Sequence, residues 1–331
     1  MYIQRILNAK TCGDLFTNDP QKAKNEYRMM AKAIHPDICN EDKSDEAMKK
    51  LNLLYQQAVK CFDSHTWTET NKIVFTDIFG KTISVKYKLK SDFELGVRYV
   101  CDLAVCYVFN KNAKAYADNA FNRIKELKYK DEKMKQQIKR FMPEVDIYSK
   151  LSDGRMILVI KKAKDLFPLD AVIDKCNDKI DARATAWMIS RLCNISCYLS
   201  VSDLSHNGLT MFNIFVSPQQ HSISLLGGWW YAVPIGTKMI GTSKDVYRNM
   251  STIVKTNKCG HQTTDFESIK HVGRILTRNK TVPDAINKWL NDGSPDSAIE
   301  LYRRWDKSLE AAFGERKFVK PDITSKEIFD E

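Results

Sequence analysis

The stretch RMMAKAIHPDICNED, residues 28–42, places a rigid break between two helical patterns and so limits how the start of the chain can fold. Pro36 cannot continue a helix, and it disfavours the α conformation at His35. Because helical patterns lie on both sides of the break, the chain must reverse direction in the loop that holds His35, Pro36 and Asp37. The sequence therefore predicts an antiparallel pair of helices.

The helix before the break has one apolar and one basic face. Lys24, Arg28 and Lys32 follow one another at intervals of four, about 120° round the helix from the apolar stripe. This row of cations must face outward. The apolar residues recur at helical spacing and are Ala23, Tyr27, Met30, Ala31 and Ile34.

Two further helical patterns complete the region. One is short and carries Tyr2, Ile6 and Leu7 on one side. The other begins near Ser44, a good N-cap followed by acidic residues in the first turn. Its apolar positions are Ala47, Leu51, Leu54, Tyr55, Ala58 and Phe62.

In all these parts, residues 1–65 resemble the J domain of DnaJ-type co-chaperones. The resemblance rests on EYRMMAKAIHPD, a polar loop, MKKLNLLYQQA and the opening YIQRIL. It implies that the basic face, with Lys24, Arg28 and Lys32, meets an acidic face of a DnaK-type (heat shock protein 70 family) ATPase. It also implies that His35, Pro36 and Asp37 engage that partner and accelerate its ATP hydrolysis.

Beyond a polar linker at 66–72, the pattern changes to strands. KIVFTDIFGKTISVKYKL alternates, VRYVCDLAVCYVF at 97–109 follows, a charged helix is predicted over about 114–141, and RMILVIKK reads as a buried strand. From residue 178 helix dominates. The expected fold class is multidomain α and α+β: a helical J domain, then a two-lobed protein-kinase-like fold over 73–331, with a strand-containing lobe at about 73–162 and a helical lobe at about 163–331.

The kinase part of this expectation comes from LSHNGLTMFNIFVSPQQHSISLLGGWWYA, residues 204–232, which resembles the catalytic segment of the protein-kinase-like superfamily. His206 stands at the motif's His and Asn213 at its metal-binding Asn. Gly208 replaces the catalytic Asp, and Gly227 replaces the metal-binding Asp. Asp265, in TDFESIKHVGRIL, matches the Asp of the family's DxWSxG helix.

The parts that phosphoryl transfer needs are missing together. The reaction depends on a positioned carboxylate, on metal ions held by Asp and Asn, on a Lys at the phosphates and on a Gly-rich loop. The strand LAVCYVF places Cys106 where the family has that Lys, and the loop offers only Gly96. We therefore expect a pseudokinase with no catalytic residues, no metal and no cofactor.

Several residues have a second interpretation. His206 can pack in the core, and Asn213 can hold its loop through backbone hydrogen bonds instead of a metal. A cluster of Trp229, Trp230 and Tyr231 serves either internal packing or the stacking of a ligand. Zinc binding is weighed against buried thiols for Cys193, Cys197, Cys259 and His261.

Charge adds one more alternative. The net charge is +11, and residues 86–140 hold fourteen basic against seven acidic side chains. Nucleic-acid binding by this region is an open alternative, although such runs are usually solvated helix faces. No apolar run is long enough to span a bilayer, which predicts no membrane partner. The scattered cysteines predict a reducing cytoplasm.

The whole arrangement also looks like J-domain proteins encoded by large tailed phages, which implies a bacterial host's chaperone as partner and the host cytoplasm as location. The kinase-like part would bind an unidentified client or scaffold protein. A divergent nucleotide-binding regulator is the other alternative.

Overall fold

The computed structural model describes residues 2–35, 39, 42–64, 71–315 and 319–329. Two compact units make up the chain, Met1–Val74 and Phe75–Glu331. The first unit is helical and the second mixes strands and helices. None of the described helices is both long and apolar enough to cross a membrane.

The first unit is a helix bundle with one small core. Its helices are α1 (Tyr2–Asn8), α2 (Pro20–Ala33) and α3 (Ser44–Asp63). Asp19 caps α2 by accepting a hydrogen bond from Lys22 N, and Pro20 occupies the first helical position. Ile6, Met30 and Leu51 are buried where α1 and α2 pack on α3. Ser44 was predicted as the N-cap of α3 but is its first residue; Lys43 is at the cap with φ 70°.

The second unit begins with strands. They are β1 (Lys72–Thr76, within which the unit boundary falls), β2 (Thr82–Lys86), β3 (Leu89–Phe93), β4 (Gly96–Val100), β5 (Ala104–Phe109), β6 (Val145–Lys150) and β7 (Met156–Lys161). A five-stranded antiparallel sheet has the order β3-β4-β5-β7-β6. The helices α4 (Lys114–Lys125) and α5 (Glu132–Ile138) connect β5 to β6.

Two sequence expectations for this region need correction. The run 97–109 forms two strands instead of one, because the chain turns where Cys101 N donates to Ala104 O. The charged segment 114–141 is two helices, α4 and α5, with a break that includes Asp131, the cap of α5.

The remainder of the second unit is mainly helical. It consists of β8 (Phe167–Pro168), α6 (Leu169–Cys176), α7 (Ala182–Val201), β9 (Leu204–Ser205), β10 (Ile214–Ser217), β11 (Ser222–Leu225), β12 (Val233–Pro234), α8 (Lys244–Asn249), α9 (Thr252–Asn257), α10 (Gln262–Leu276), α11 (Asp284–Asn291), α12 (Ala298–Phe313) and α13 (Ser325–Phe329). The most apolar helix, α7, packs against α10 and α12. One continuous core joins the inner face of the five-stranded sheet to these helices, so the loop between β9 and β10 lies under the sheet.

Candidate functional site

In the first unit, the basic face of α2 is exposed. Lys24, Arg28 and Lys32 all point to solvent, whereas Ala23 and Met30 of the same helix are buried. None of the three cations forms an ion pair within the part of the chain that the structure describes. With a rise of about 1.5 Å per residue, they form a row roughly 12 Å long. This row is the feature of the unit that an acidic surface can recognise.

Contacts on the other side of α2 hold this face in place. The Tyr27 ring stacks on Tyr55 of α3 at 4.3 Å between centroids, and the Tyr27 hydroxyl donates to Asn52 Oδ1 at 2.8 Å. His35 is exposed directly after α2, and its carbonyl accepts a hydrogen bond from Cys39 N at 2.8 Å. The predicted Pro36 and Asp37 lie outside the described residues.

In the second unit, a buried carboxylate organises the loop that follows β9. Asp265, in the first turn of α10, accepts hydrogen bonds from His206 N at 2.7 Å and from Asn207 N at 3.0 Å. Asn207 has φ 54°, and its side-chain amide donates to Tyr231 O. Asp265 and His206, which the sequence placed 59 residues apart, are therefore brought together. The Asp265 carboxylate is thus hydrogen-bonded to the backbone of the loop that follows β9.

The His206 ring is neutral and buried. Burial lowers the pKa of His206 to about 3, which the backbone of Gly227 only partly offsets. The ring meets Trp229 edge-on at 4.9 Å, and neither ring nitrogen makes a hydrogen bond of normal geometry within the described chain. Burial also raises the pKa of Asp265 to about 7, against the opposing effect of its two amide donors. The pKa values of His206 and Asp265 are therefore shifted in opposite directions.

These shifts predict opposite effects of pH on stability. His206 binds a proton more readily in the unfolded chain than in the folded one. Its contribution to the free energy of unfolding is therefore complete above pH 6.5 and is lost as pH falls toward 3. Asp265 stabilises the fold below pH 3.8, and that contribution is lost as pH rises to about 7. In the wild type the two trends offset each other. We expect His206→Leu to remove the His206 contribution and to retain that of Asp265.

The measurement is urea unfolding between pH 4 and 7. Relative to the wild type, the free energy of unfolding of His206→Leu should fall as pH rises from 4 to 6.5, by at most about 1.4 kcal/mol per pH unit, the limit for one proton. A variant whose pH dependence equals that of the wild type would contradict the burial of a neutral histidine.

The side chain of Asn213 is hydrogen-bonded within its own loop. Its Nδ2 donates to Gly208 O at 2.7 Å and to Thr210 Oγ1 at 3.1 Å, and its backbone carbonyl accepts from Gly227 N. Its Oδ1 is buried without a hydrogen-bond partner among the described residues. One carbonyl oxygen without a neighbouring carboxylate is a poor site for magnesium, which prefers several oxygen ligands.

The two glycines of the motif leave no space for the side chains they replace. A Cβ on Gly208 would lie 2.7 Å from Gly228 O and 3.1 Å from Tyr231 Cδ2. A Cβ on Gly227 would lie 2.4 Å from Asn213 Oδ1 and 2.5 Å from the Tyr107 hydroxyl oxygen. Both positions are closed by neighbouring atoms and could not accept an Asp without rearrangement.

Tyr107 is the site residue that sequence reasoning missed. On β5, Tyr107 faces Gly227, whereas Cys106 points to the opposite face of the sheet, beside Tyr99 and Val159. The position facing the loop therefore differs by one residue from the predicted Cys106. Strand alternation could have found it, since successive residues of a strand point to opposite faces.

Aromatic rings fill the space between the sheet and the loop. The Trp230 ring lies 5.0 Å from Tyr107 and 5.1 Å from Phe93, and Phe93 also meets Phe212 at 5.8 Å. Trp230 is 2% exposed. Trp229, Trp230 and Tyr231 are all buried, so they pack internally and cannot act as an exposed stacking surface for a ligand.

Arg98 closes one side of the same space. Its side chain, on β4, is 0% exposed and donates to Phe212 O at 2.5 Å, to Asp170 Oδ2 at 2.8 Å and to Ser91 Oγ at 3.3 Å. The guanidinium carbon lies 3.6 Å from the centroid of the Phe212 ring. Arg98, one of the fourteen bases counted in residues 86–140, is thus a buried link between the sheet, α6 and the loop.

The remaining candidates are structural. Cys193 is fully buried, and burial raises its thiol pKa well above the ordinary value. Across the ranges that the structure describes, no group of three His, Cys, Asp or Glu side chains could hold a metal ion. Several bases of the 86–140 region are paired with acids: Lys88, Arg98, Lys114, Arg123, Lys135 and Lys139. Four of the acids in these pairs, Asp102, Asp118, Glu126 and Glu132, are among the seven acids already counted in this region, so most of its positive surplus remains.

Comparisons with known proteins find similarity among solved structures. No protein-family model matches the chain, and no curated protein is similar to it. Among solved structures, the structure of vaccinia related kinase 3 aligns with a TM-score of 0.49 at 14% sequence identity, covering 74% of this chain and 92% of that one.

Proposed function

We propose that this protein is a J-domain-type co-chaperone that recruits and stimulates the ATPase of a DnaK-type chaperone. The observation that carries the proposal is the exposed, unpaired row Lys24, Arg28, Lys32, which ends at His35 of the His-Pro-Asp sequence. The row attracts and orients an acidic surface, and Asp37 then makes a charge-assisted hydrogen bond to a basic group of the chaperone. The chaperone performs the chemistry.

We propose further that the second unit is a kinase-like domain without phosphoryl transfer that selects a client or a partner. Three features support this. The sites of both carboxylates are closed at Gly208 and Gly227. Asn213 is bonded to its own loop. Tyr107 and Trp230 occupy the space under the sheet, where a nucleotide would need room.

The same features disfavour the alternative of a nucleotide-binding regulator, since a bound nucleotide would have to displace buried aromatic rings. For nucleic-acid binding through residues 86–140, the described residues add no support beyond the net positive charge of that region. A second candidate function is therefore not favoured by any feature of the described chain.

The test is the single-turnover ATPase rate of a purified bacterial DnaK-type chaperone with the full chain added. We expect the wild type to stimulate hydrolysis and Asp37→Asn to leave only the basal rate. The triple variant Lys24→Glu, Arg28→Glu, Lys32→Glu should need roughly ten-fold more protein for half-maximal stimulation, because charge reversal replaces attraction with repulsion.

A matched control separates the basic face from net charge. Lys10, Lys49 and Lys60 are exposed bases of the same unit that lie off this face. Their triple change to Glu alters the net charge equally and should leave the stimulation within about two-fold, as expected for screened, distant charges. Equal stimulation by the wild type and Asp37→Asn would refute the co-chaperone proposal.

A further inference from the structure

Two free thiols of the first unit face each other at the edge of its core. Cys12 is buried in the short 3-10 turn Cys12–Asp14, and Cys61 is half-buried in the last turn of α3. A side-chain hydrogen bond joins the two thiol groups. The pair includes no residue of α2, so it is independent of the basic face on which the proposed co-chaperone function rests.

Backbone and ring contacts fix the turn that carries Cys12. Asp14 Oδ2 accepts a hydrogen bond from Lys10 N at 2.7 Å. The carbonyl oxygen of Cys12 accepts a hydrogen bond from Phe16 N at 2.9 Å, and the Phe16 ring meets Tyr55 of α3 edge-on at 5.5 Å between centroids. These contacts hold the chain on both sides of Cys12, so its thiol keeps its position against α3.

Cys61 lies on the face of α3 that packs on the same core. It follows Ala58 by three residues and Leu54 by seven, a spacing that places all three on one face of the helix. Leu54 and Ala58 are buried in the core of the unit, and Cys61 packs against that core. Because Cys61 is only half-buried, it keeps part of its surface in contact with solvent.

The two thiols differ in how easily a reagent can reach them. Burial, with a further contribution from Cys61, raises the pKa of the Cys12 thiol, so Cys12 stays protonated at neutral pH. A small oxidant therefore meets the partly exposed Cys61 first. The sulfur atoms of a disulfide lie about 2.0 Å apart, and two thiols already in hydrogen-bond contact need only a small approach to reach that distance.

We propose that Cys12 and Cys61 form a reversible disulfide by exchange with a low-molecular-weight disulfide. With glutathione disulfide, the Cys61 thiolate attacks one sulfur, the S–S bond of glutathione breaks, and one glutathione thiolate leaves. Cys12 then loses its proton to water and attacks Cys61 Sγ, and the second glutathione thiolate leaves. Two protein thiols are oxidised to one disulfide, and glutathione disulfide is reduced to two glutathione molecules, which carry the two thiol protons.

The probe is glutathione disulfide, added to the reduced full chain, with peptide mapping under non-reducing conditions. The wild type should give peptides joined through Cys12 and Cys61, at least about five-fold more abundant than any other cross-linked pair, because proximity favours the second step. Cys12→Ala lacks the second thiol and should keep glutathione on Cys61. The control Cys259→Ser removes a half-buried cysteine of the second unit and should behave like the wild type.

Amide hydrogen exchange shows whether the disulfide links the turn to α3. The N–H groups of Leu15 and Phe16, both bonded to Cys12 O, should exchange at least about five-fold more slowly after oxidation, because the link opposes local opening. Cys61→Ser, of similar size, should show no such change.

Three outcomes would each overturn the proposal. They are the absence of peptides joined through Cys12 and Cys61 in the wild type, glutathione retained on wild-type Cys61 to the same extent as in Cys12→Ala, and equal exchange rates before and after oxidation.

Discussion

Replacement of Gly227 by Asp is expected to destabilise the second unit by more than about 4 kcal/mol and to restore no phosphoryl transfer. The change supplies a carboxylate at the position where the motif that residues 204–232 resemble has its metal-binding Asp, but its Cβ would lie 2.4 Å from Asn213 Oδ1 and 2.5 Å from the Tyr107 hydroxyl oxygen. The carboxylate would be buried beside an amide oxygen, where no cation compensates for its lost hydration. Urea unfolding of the full chain measures the loss.

The matched control is Gly293→Asp. No atom lies within 4 Å of a Cβ at Gly293, which is exposed in the loop after α11. The same substitution there should change the free energy of unfolding by less than about 0.5 kcal/mol. ATP with magnesium should raise the melting temperature of neither the wild type nor the variants, because a ligand stabilises only a fold that binds it. Gly227→Asp with wild-type stability, or with kinase activity, would contradict the closed site.

Arg98→Met is expected to cost about 3–5 kcal/mol in the free energy of unfolding. The substitution keeps an unbranched apolar stem but removes every hydrogen bond to Phe212 O, Asp170 and Ser91. It leaves the Asp170 carboxylate and a buried carbonyl oxygen without their donor. Because Arg98 connects the sheet to the loop before β10, we expect the loss to appear in the main unfolding transition.

Two further variants test the cause of this loss. Arg248→Met, where the arginine is 74% exposed and its ion pair with Asp245 is 3.4 Å long, should cost less than about 0.5 kcal/mol. Arg98→Met combined with Asp170→Leu should be less destabilised than Arg98→Met alone, because no charge is then left unpaired. Equal losses at Arg98 and Arg248 would show that the buried link contributes no more than a surface ion pair.

Much of the architecture could be predicted from local patterns in the sequence. The apolar spacing of α2 and α3 predicted both helices because each buries one face, and the apolar run RMILVIKK predicted the buried strand β7. The expected helical region at the start of the chain and the mixed region after it are both present. The co-chaperone and client-binding roles stay predictions.

The candidate site was harder to predict from the sequence, because its residues come from distant segments of the chain. Cys106 was placed by counting along a motif, yet it is the twist and register of β5 that turn Tyr107 toward Gly227. In the sequence, Arg98 is one of the fourteen bases counted in residues 86–140. Its burial follows only from the docking of Phe212 and Asp170 on the sheet.

By itself, the sequence determined the helices α2 and α3, the buried strand β7, the basic face of α2 and the glycines at positions 208 and 227, because each depends on residue type and on spacing within a few turns of helix or along one strand. The tertiary structure alone decided that those glycines are sterically closed, that Asp265 holds the His206 loop and that aromatic rings fill the space beneath the sheet. Such outcomes depend on distances between segments far apart in the chain, and local propensity carries no information about them.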